Sequence, residues 1–295
     1  MANTEENITQ ISEFILFGLG DLHGLQFLLF AFLVIYVVTL VGNIVILTVV
    51  SADCSLHTPL DFFLGYFSFL DMGYNTTIEP VILKTLLSAH VPISFSGCAC
   101  QFYYFAALVV TECFFLVVLF YDCYISICNP LHNSSIMDYL AVVSWVAGFL
   151  AHLLLMVLIF QLTVCASNEI NHFFCDWKPI MKLACTDTQV AEITFFICTF
   201  LFALNPFLLT LASYIYIISF LRFSSTTGKQ RDSSNCSSYL TVVSLCYGTL
   251  SIAYGFPSGP QYEDLLKYTV LIPALKPIIY TLKNKDVKVA LRKLV

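Results

Sequence analysis

Seven stretches of this chain are long and apolar enough to cross a bilayer as helices: 26–50, 59–83, 98–121, 140–162, 190–221, 238–256 and 265–282. A helix needs about 20 such residues to span a hydrocarbon core roughly 30 Å thick. The expected fold class is therefore an all-α membrane protein, a seven-transmembrane helix bundle. Composition agrees, because 59% hydrophobic and 11% charged residues lie outside the soluble range of roughly 45–50% apolar and about 25% charged. The last stretch is the weakest, since it carries Lys267 and Lys276 and a lysine at mid-bilayer costs about 2.5–3.5 kcal/mol on insertion scales. A six-span reading stays open on that ground.

Orientation follows from lysine and arginine in the short connections. Arg222, Lys229 and Arg231 lie between spans five and six, and Lys283, Lys285, Lys288, Arg292 and Lys293 follow span seven, so 8 of the 13 basic residues share one side. Basic residues mark the cytoplasmic side. Residues 1–25 hold Glu5, Glu6, Glu13 and Asp21 and no lysine or arginine, and are expected outside the cell. Residues 26–282 are expected to form the seven-helix bundle and 283–295 a cytoplasmic tail, giving a multi-pass membrane protein with its N-terminus outside. No basic segment with a cleavage site precedes span one, which is expected to act as its own targeting signal. The tail from Lys283 to Lys293 reads as a short amphipathic C-terminal helix along the inner leaflet, with Val287, Leu291 and Leu294 toward lipid. With no cysteine after Cys246, its basic face is expected to hold it there.

Two sets of residues test this topology. The sequon Asn7-Ile8-Thr9 lies outside and is the expected glycosylation site, Asn7. The matches at Asn75, Asn133 and Asn235 fall in a span or on the inner side and are expected to stay unmodified. Of twelve cysteines, only Cys98, Cys165, Cys175 and Cys185 lie on the oxidising side where disulfides form. Four cysteines allow three connectivities, with free thiols as the other reading. The remaining eight read as small apolar thiols.

Polar residues inside the spans are few and so carry the chemistry. Asn43, Asp71 and Glu112 read as the buried polar residues of spans one to three, and Asp122, with Tyr121, stands at the inner end of span three. Carboxylates in a bundle core persist when paired, hydrated, protonated or bound to a cation.

Blocks along nearly the whole chain carry a resemblance: Glu13-Phe14-Ile15-Leu16, Gly42-Asn43, Leu56-His57-Thr58-Pro59, Tyr121-Asp122 with Ile127-Cys128-Asn129-Pro130-Leu131, and Ser213-Tyr214. Later come Cys236-Ser237-Ser238, Leu240 to Leu245, Tyr247-Gly248, Pro277-Ile278-Ile279-Tyr280 and Leu282 to Val287, with the loop run Asn171-His172-Phe173-Phe174-Cys175-Asp176 and Leu183-Ala184-Cys185. In this order they resemble the odorant (olfactory) receptors, rhodopsin-like seven-helix receptors coupled to G proteins.

The resemblance implies a receptor for small, mostly apolar, volatile ligands that couples to a stimulatory heterotrimeric G protein and raises cyclic AMP. It pairs Cys98 with Cys175 and Cys165 with Cys185. It makes Tyr121, Asp122, Cys123, Tyr214 and Tyr280 the G-protein switch positions, and it implies a sodium site at Asp71 and Glu112, with no other cofactor. Ligand-binding candidates stand at matching depth: Phe102, Phe105, Ala106, Val109 and Val110 in span three, Cys198 and Phe202 in span five, Leu250, Ser251 and Tyr254 in span six, and Thr269 in span seven. Tyr254 pairs a ring with a hydroxyl that can orient an oxygen-bearing ligand. A ligand of about 10 heavy atoms, at roughly 0.6 kcal/mol each, reaches about −6 kcal/mol, or tens of micromolar.

The chain also departs from the family. The residue after Asp122 is Cys123, where the family has an arginine whose guanidinium fork a thiol cannot imitate. Lys276 replaces the asparagine before Pro277, which puts a cation beside Asp71 and Glu112, able to form a salt bridge and displace sodium. Leu60-Asp61 stands for a methionine and tyrosine, and the stretch from Tyr254 to Pro277 is a few residues short. The alternative reading is therefore a receptor-fold protein with impaired or absent signalling. Six dispersed histidines and the lack of a hydrolase or phosphate-loop motif argue against an enzyme. A channel or transporter is a remote alternative, since no half of the chain resembles the other.

Overall fold

A computed structural model describes residues 13–17, 25–53, 59–128, 135–164 and 168–204, with isolated helical positions at 208, 211–212, 215, 275–276, 279 and 289. The elements in chain order are β1 (Glu13–Phe17), α1 (Leu25–Ala52), α2 (Pro59–Leu87), β2 (His90–Ser94), α3 (Phe95–Cys128), α4 (Ser135–Phe160), β3 (Glu169–Ile170), α5 (Trp177–Leu183) and α6 (Gln189–Thr199). A π-helical turn, Phe200–Leu204, continues α6. Helices α1 to α4 are the first four expected spans and α6 opens the fifth. Spans six and seven lie outside the described residues except for Leu275, Lys276 and Ile279.

The helices divide by the company their side chains need. In α1 and α4 apolar residues point in every direction, and Phe27, Phe30, Val41, Val142 and Leu150 are exposed on the bundle's surface, as expected of helices whose solvent is lipid. By contrast α2 carries Asp71, Glu79 and Lys84 and is held between α1 and α3. Helix α3 is the hub, packed on both α2 and α4. Its 34 residues make it about 50 Å long at ~1.5 Å per residue, so it projects beyond the hydrocarbon at its ends. It starts three residues before the expected span and ends seven later. It runs without a break to Cys128. Asp122 thus lies within the helix, six residues from its end, and is buried.

Close approach of α3 and α4 depends on Gly148. A Cβ there would collide with Thr111 Oγ1 and come within 2.9 Å of the Thr111 amide nitrogen and 3.0 Å of its Cα, the small-residue contact that membrane helices use to pack.

The outer side adds a feature that an all-helical expectation omits, a three-stranded sheet in the order β2-β1-β3. Strand β1 runs antiparallel to β2, with Glu13 opposite Ser94 and Phe17 opposite His90, and parallel to β3, with Ile15 opposite Glu169. Alternation explains it: Phe14 and Leu16 are fully buried on one face while Glu13 points out, the period-two pattern of a half-buried strand. Phe14 and Leu16 join Cys98, Cys175, Trp177 and Phe195 in one outer apolar cluster.

Candidate functional site

The central feature of the bundle is a buried ion cluster at the junction of α2, α3 and span seven. Lys276 Nζ donates to Asp71 Oδ1 at 2.9 Å and to the Tyr74 hydroxyl at 2.9 Å, and also to Glu112 Oε1. Tyr74 in turn donates to Asp71 Oδ1, and the ammonium stands 5.3 Å from the centre of its ring. Asp71, Tyr74, Glu112 and Lys276 are all buried. Each partner is placed by helix geometry: Asp71 and Tyr74 are three residues apart on one face of α2, and Glu112 faces them from α3.

Charges removed from water cost several kcal/mol each, and a buried pair is tolerated only when its geometry and hydrogen bonds are good. Here a single ammonium spends its donors on two carboxylates and a phenol, which is why Lys276 is compatible with an apolar span. One buried acceptor, Asp71 Oδ2, has no hydrogen-bond partner among the described residues. A sodium ion between the two acids does not fit this arrangement. Oδ1 of Asp71 and Oε1 of Glu112 are already turned to the ammonium, and a second cation about 5 Å away would meet a repulsion of about 3 kcal/mol at an effective dielectric of ~20.

Asn43, the other polar residue expected in the core, is buried but spends its amide on the Thr39 carbonyl of its own helix at 3.0 Å. Asn75 donates to the Asp71 carbonyl at 2.6 Å and is buried, which accounts for a sequon unsuited to glycosylation. Asn7, Asn133 and Asn235 lie outside the described residues.

Above the cluster sits a cap tied to α3 by the disulfide Cys98–Cys175, with 5.4 Å between Cα atoms. Cys185 is also disulfide-bonded; its expected partner, Cys165, lies outside the described residues. Gln101, one turn below Cys98, bridges three elements. It donates to the Thr77 carbonyl of α2 at 3.1 Å and accepts the Cys175 amide at 3.1 Å. Thr77 lies three residues before Pro80, whose missing amide would have bonded the neighbouring Thr76 carbonyl. Asp176 caps α5 by accepting the Trp177 amide at 2.8 Å. Burial pushes its carboxyl up to about 6, against the pull of that amide and of Lys178. Burial pushes the His172 imidazole down to about 4, the Phe174 backbone partly opposing it. His172 Nδ1 lies 3.0 Å from the Phe174 carbonyl oxygen.

Between cap and cluster runs a train of rings. Phe174 meets Phe105 edge-on at 5.9 Å, and Phe105 meets Tyr74 at 6.3 Å, so the cap reaches the lysine cluster through two aromatic contacts. The other ligand candidates are spread around α3. Phe102 is buried toward α4, against His152 and Phe160, in the same cluster that Cys198 borders. Ala106 and Val109 are half-buried and Val110 is buried. Phe202 packs on Phe114 at 5.6 Å. Leu250, Ser251, Tyr254 and Thr269 lie outside the described residues.

At the inner end Asp122 is buried and Tyr121 is exposed. Cys123 lies within α3, while its side chain, Tyr214 and Tyr280 lie outside the described residues.

Three polar residues escaped the sequence reading: Tyr74, Gln101 and Glu79, the last buried in α2 with Oε2 unpartnered. Glu79 had a usable signal, an acid within an apolar run just before Pro80. Tyr74 and Gln101 had none, because such side chains also face lipid headgroups or solvent.

Comparison with known proteins bears on what this assembly does. The model of the olfactory receptor family matches residues 32–295. The chain is 42% identical to human (Homo sapiens) olfactory receptor 11L1 over 300 residues, covering 98% of this chain and 93% of that one. It is 45% identical to human olfactory receptor 10A5 over 298 residues, covering 97% and 94%. Mouse (Mus musculus) olfactory receptor 5B21 is 40% identical over 304 residues, covering 98% and 94%.

Proposed function

The chain belongs to the olfactory receptor family, and from that premise we propose that it binds a small, mostly apolar odorant and couples to a stimulatory G protein that raises cyclic AMP. As a family member it is a seven-helix G-protein-coupled receptor of the plasma membrane and not an enzyme. We place its N-terminus outside, a reading supported by the disulfide between the start of α3 and the loop before α5, since such bonds form on the oxidising side, and by the basic residues gathered around the opposite ends of the spans.

The observation that carries the ligand reading is the ring train from Phe174 through Phe105 to Tyr74. A receptor works because its ligand binds one of the bundle's two arrangements better than the other. A ligand that packs against Phe105 displaces or braces a ring in contact with the cap on one side and with the ion cluster on the other. Phe102, Ala106, Val109, Val110, Cys198, Phe202, Leu250, Ser251, Tyr254 and Thr269 are the further candidates for ligand contact. Tyr121, Asp122, Cys123, Tyr214 and Tyr280 are the candidates for the switch.

A second reading, a receptor fold with impaired signalling, is favoured by the cluster itself. Lys276 ties span seven to α2 and α3 through charged hydrogen bonds, which opposes relative movement of those helices. One cell assay separates the readings. The native chain, Phe105→Ala and the double revertant Cys123→Arg with Lys276→Asn are expressed at matched surface levels and exposed to a panel of volatile ligands while cyclic AMP is followed. The receptor reading expects a dose-dependent response, shifted at least tenfold by Phe105→Ala. A native response equal to that of the double revertant sinks the impaired reading. Response in the revertant alone sinks the claim that the native chain couples.

A further inference from the structure

We propose that Lys276 is a tethered cation that permanently occupies the acid pair Asp71 and Glu112, so that this receptor is indifferent to sodium and its inner core is held by the chain's own charge. The family resemblance implies a sodium site at these acids, and the geometry points the other way. Two carboxylates from different helices converge on one nitrogen, at 2.9 Å from Asp71 Oδ1 and in direct contact with Glu112 Oε1. The third donor goes to Tyr74 at 2.9 Å.

A free monovalent ion and a lysine ammonium solve the same problem for a buried acid pair, since each supplies a positive charge and electron-pair acceptance from several directions. They differ in how they are held. The ion is bound by mass action and leaves when its concentration falls, whereas the ammonium is attached to span seven and cannot. Occupation by the tethered cation also excludes the free one, because both need the same two oxygens. The unpartnered Asp71 Oδ2 is a single oxygen, and one oxygen beside an ammonium does not replace the hydration shell of a sodium ion.

The test needs neither odorant nor G protein, so its failure is distinct from failure of the receptor reading. The full chain is purified into lipid nanodiscs and its thermal unfolding followed in sodium chloride and in choline chloride at equal ionic strength. The native chain is expected to unfold at the same temperature in both salts. Lys276→Asn, which vacates the pair, is expected to gain a saturable sodium dependence, its midpoint rising by about 3 °C in excess sodium. Lys276→Gln serves if the asparagine variant does not fold. A sodium-dependent rise in the native chain overturns the proposal. So does a vacated pair that shows no sodium effect, because the lysine would then be standing in for nothing.

Discussion

The outer cap and the buried ion cluster both hold polar groups away from water, and they do so by opposite means. In the cap, Asp176 takes the amide of the next residue and His172 turns to the backbone two residues on. Its distant ties among the described residues are few: the Cys98–Cys175 disulfide spans 77 residues, and Gln101 accepts the Cys175 amide from 74 residues away. In the cluster every tie made by the lysine is long-range: Lys276 is 205 residues from Asp71, 202 from Tyr74 and 164 from Glu112. A local partner is present in the unfolded chain as well and therefore costs little entropy to recruit. A distant one exists only when the bundle is assembled, so its loss strands the groups it served. The cap should tolerate the loss of single polar partners and the cluster should not.

Removing the lysine is the strongest way to break that contrast. Lys276→Met keeps most of the volume and deletes the charge, leaving two buried acids facing each other. Removing one partner of a buried charge pair costs about 3–5 kcal/mol, and thermal unfolding in sodium-free buffer should register a loss of that size. Adding Asp71→Asn and Glu112→Gln to Lys276→Met should restore most of it, because the cost lies in unpaired charge and not in the absent lysine. A single variant as stable as the native chain would mean that the acids are already neutral and that the cluster is held by packing.

The disulfide sharpens the comparison from the other side, since it is where the cap depends on distant sequence. Cys175→Ser releases a loop closed across 77 residues, for which the chain-entropy account gives about 4.5 kcal/mol, at the upper end of a measured range of roughly 0–5. Surface expression should fall steeply, and Cys98→Ser should match it, while the double variant should be no worse than either. A double variant markedly worse than the singles would show that the cysteines contribute through packing around Phe14 and Trp177 and not through the bond.

The two regions also differ in how far the sequence discloses them. The spans are legible because lipid admits only long apolar helices, and the ends of α1 to α4 fall within seven residues of where hydrophobicity places them. Lys276, Asp71 and Glu112 are legible as a group for the same reason: three charges in apolar runs have few partners besides one another. Strand β1 is not, because Glu13-Phe14-Ile15-Leu16-Phe17 forms a strand between β2 and β3, pairings with distant segments that its own sequence does not specify. Gln101 is hidden for a related reason. Its role arises from a carbonyl of α2 on one side and a loop amide on the other, so its meaning lies in three separate segments at once.

The smallest expected effect lies within the cap, where two opposed titrations make it look inert. The His172 imidazole is held down to about 4 by burial, so the folded state resists protonation, and stability present above about pH 6.5 is lost as pH falls toward 4. The Asp176 carboxyl is held up to about 6, so the folded state binds a proton more readily than the unfolded one, and stability is gained as pH falls from about 6 toward 4. From pH 7 to pH 5 the first contribution is a loss of about 2 kcal/mol and the second a gain of about 1 kcal/mol by linkage. The native cap should therefore lose under about 1 kcal/mol over that interval. Asp176→Asn keeps an N-cap acceptor but removes the gain, and it should expose the full acid-induced loss of about 2 kcal/mol. His172→Asn should do the reverse and make the protein slightly more stable at pH 5 than at pH 7. Unfolding midpoints at the two pH values for the three proteins check the signs. If both variants shift in the same direction, the compensation assigned to this pair does not exist, and the cap's indifference to pH has its source in groups other than His172 and Asp176.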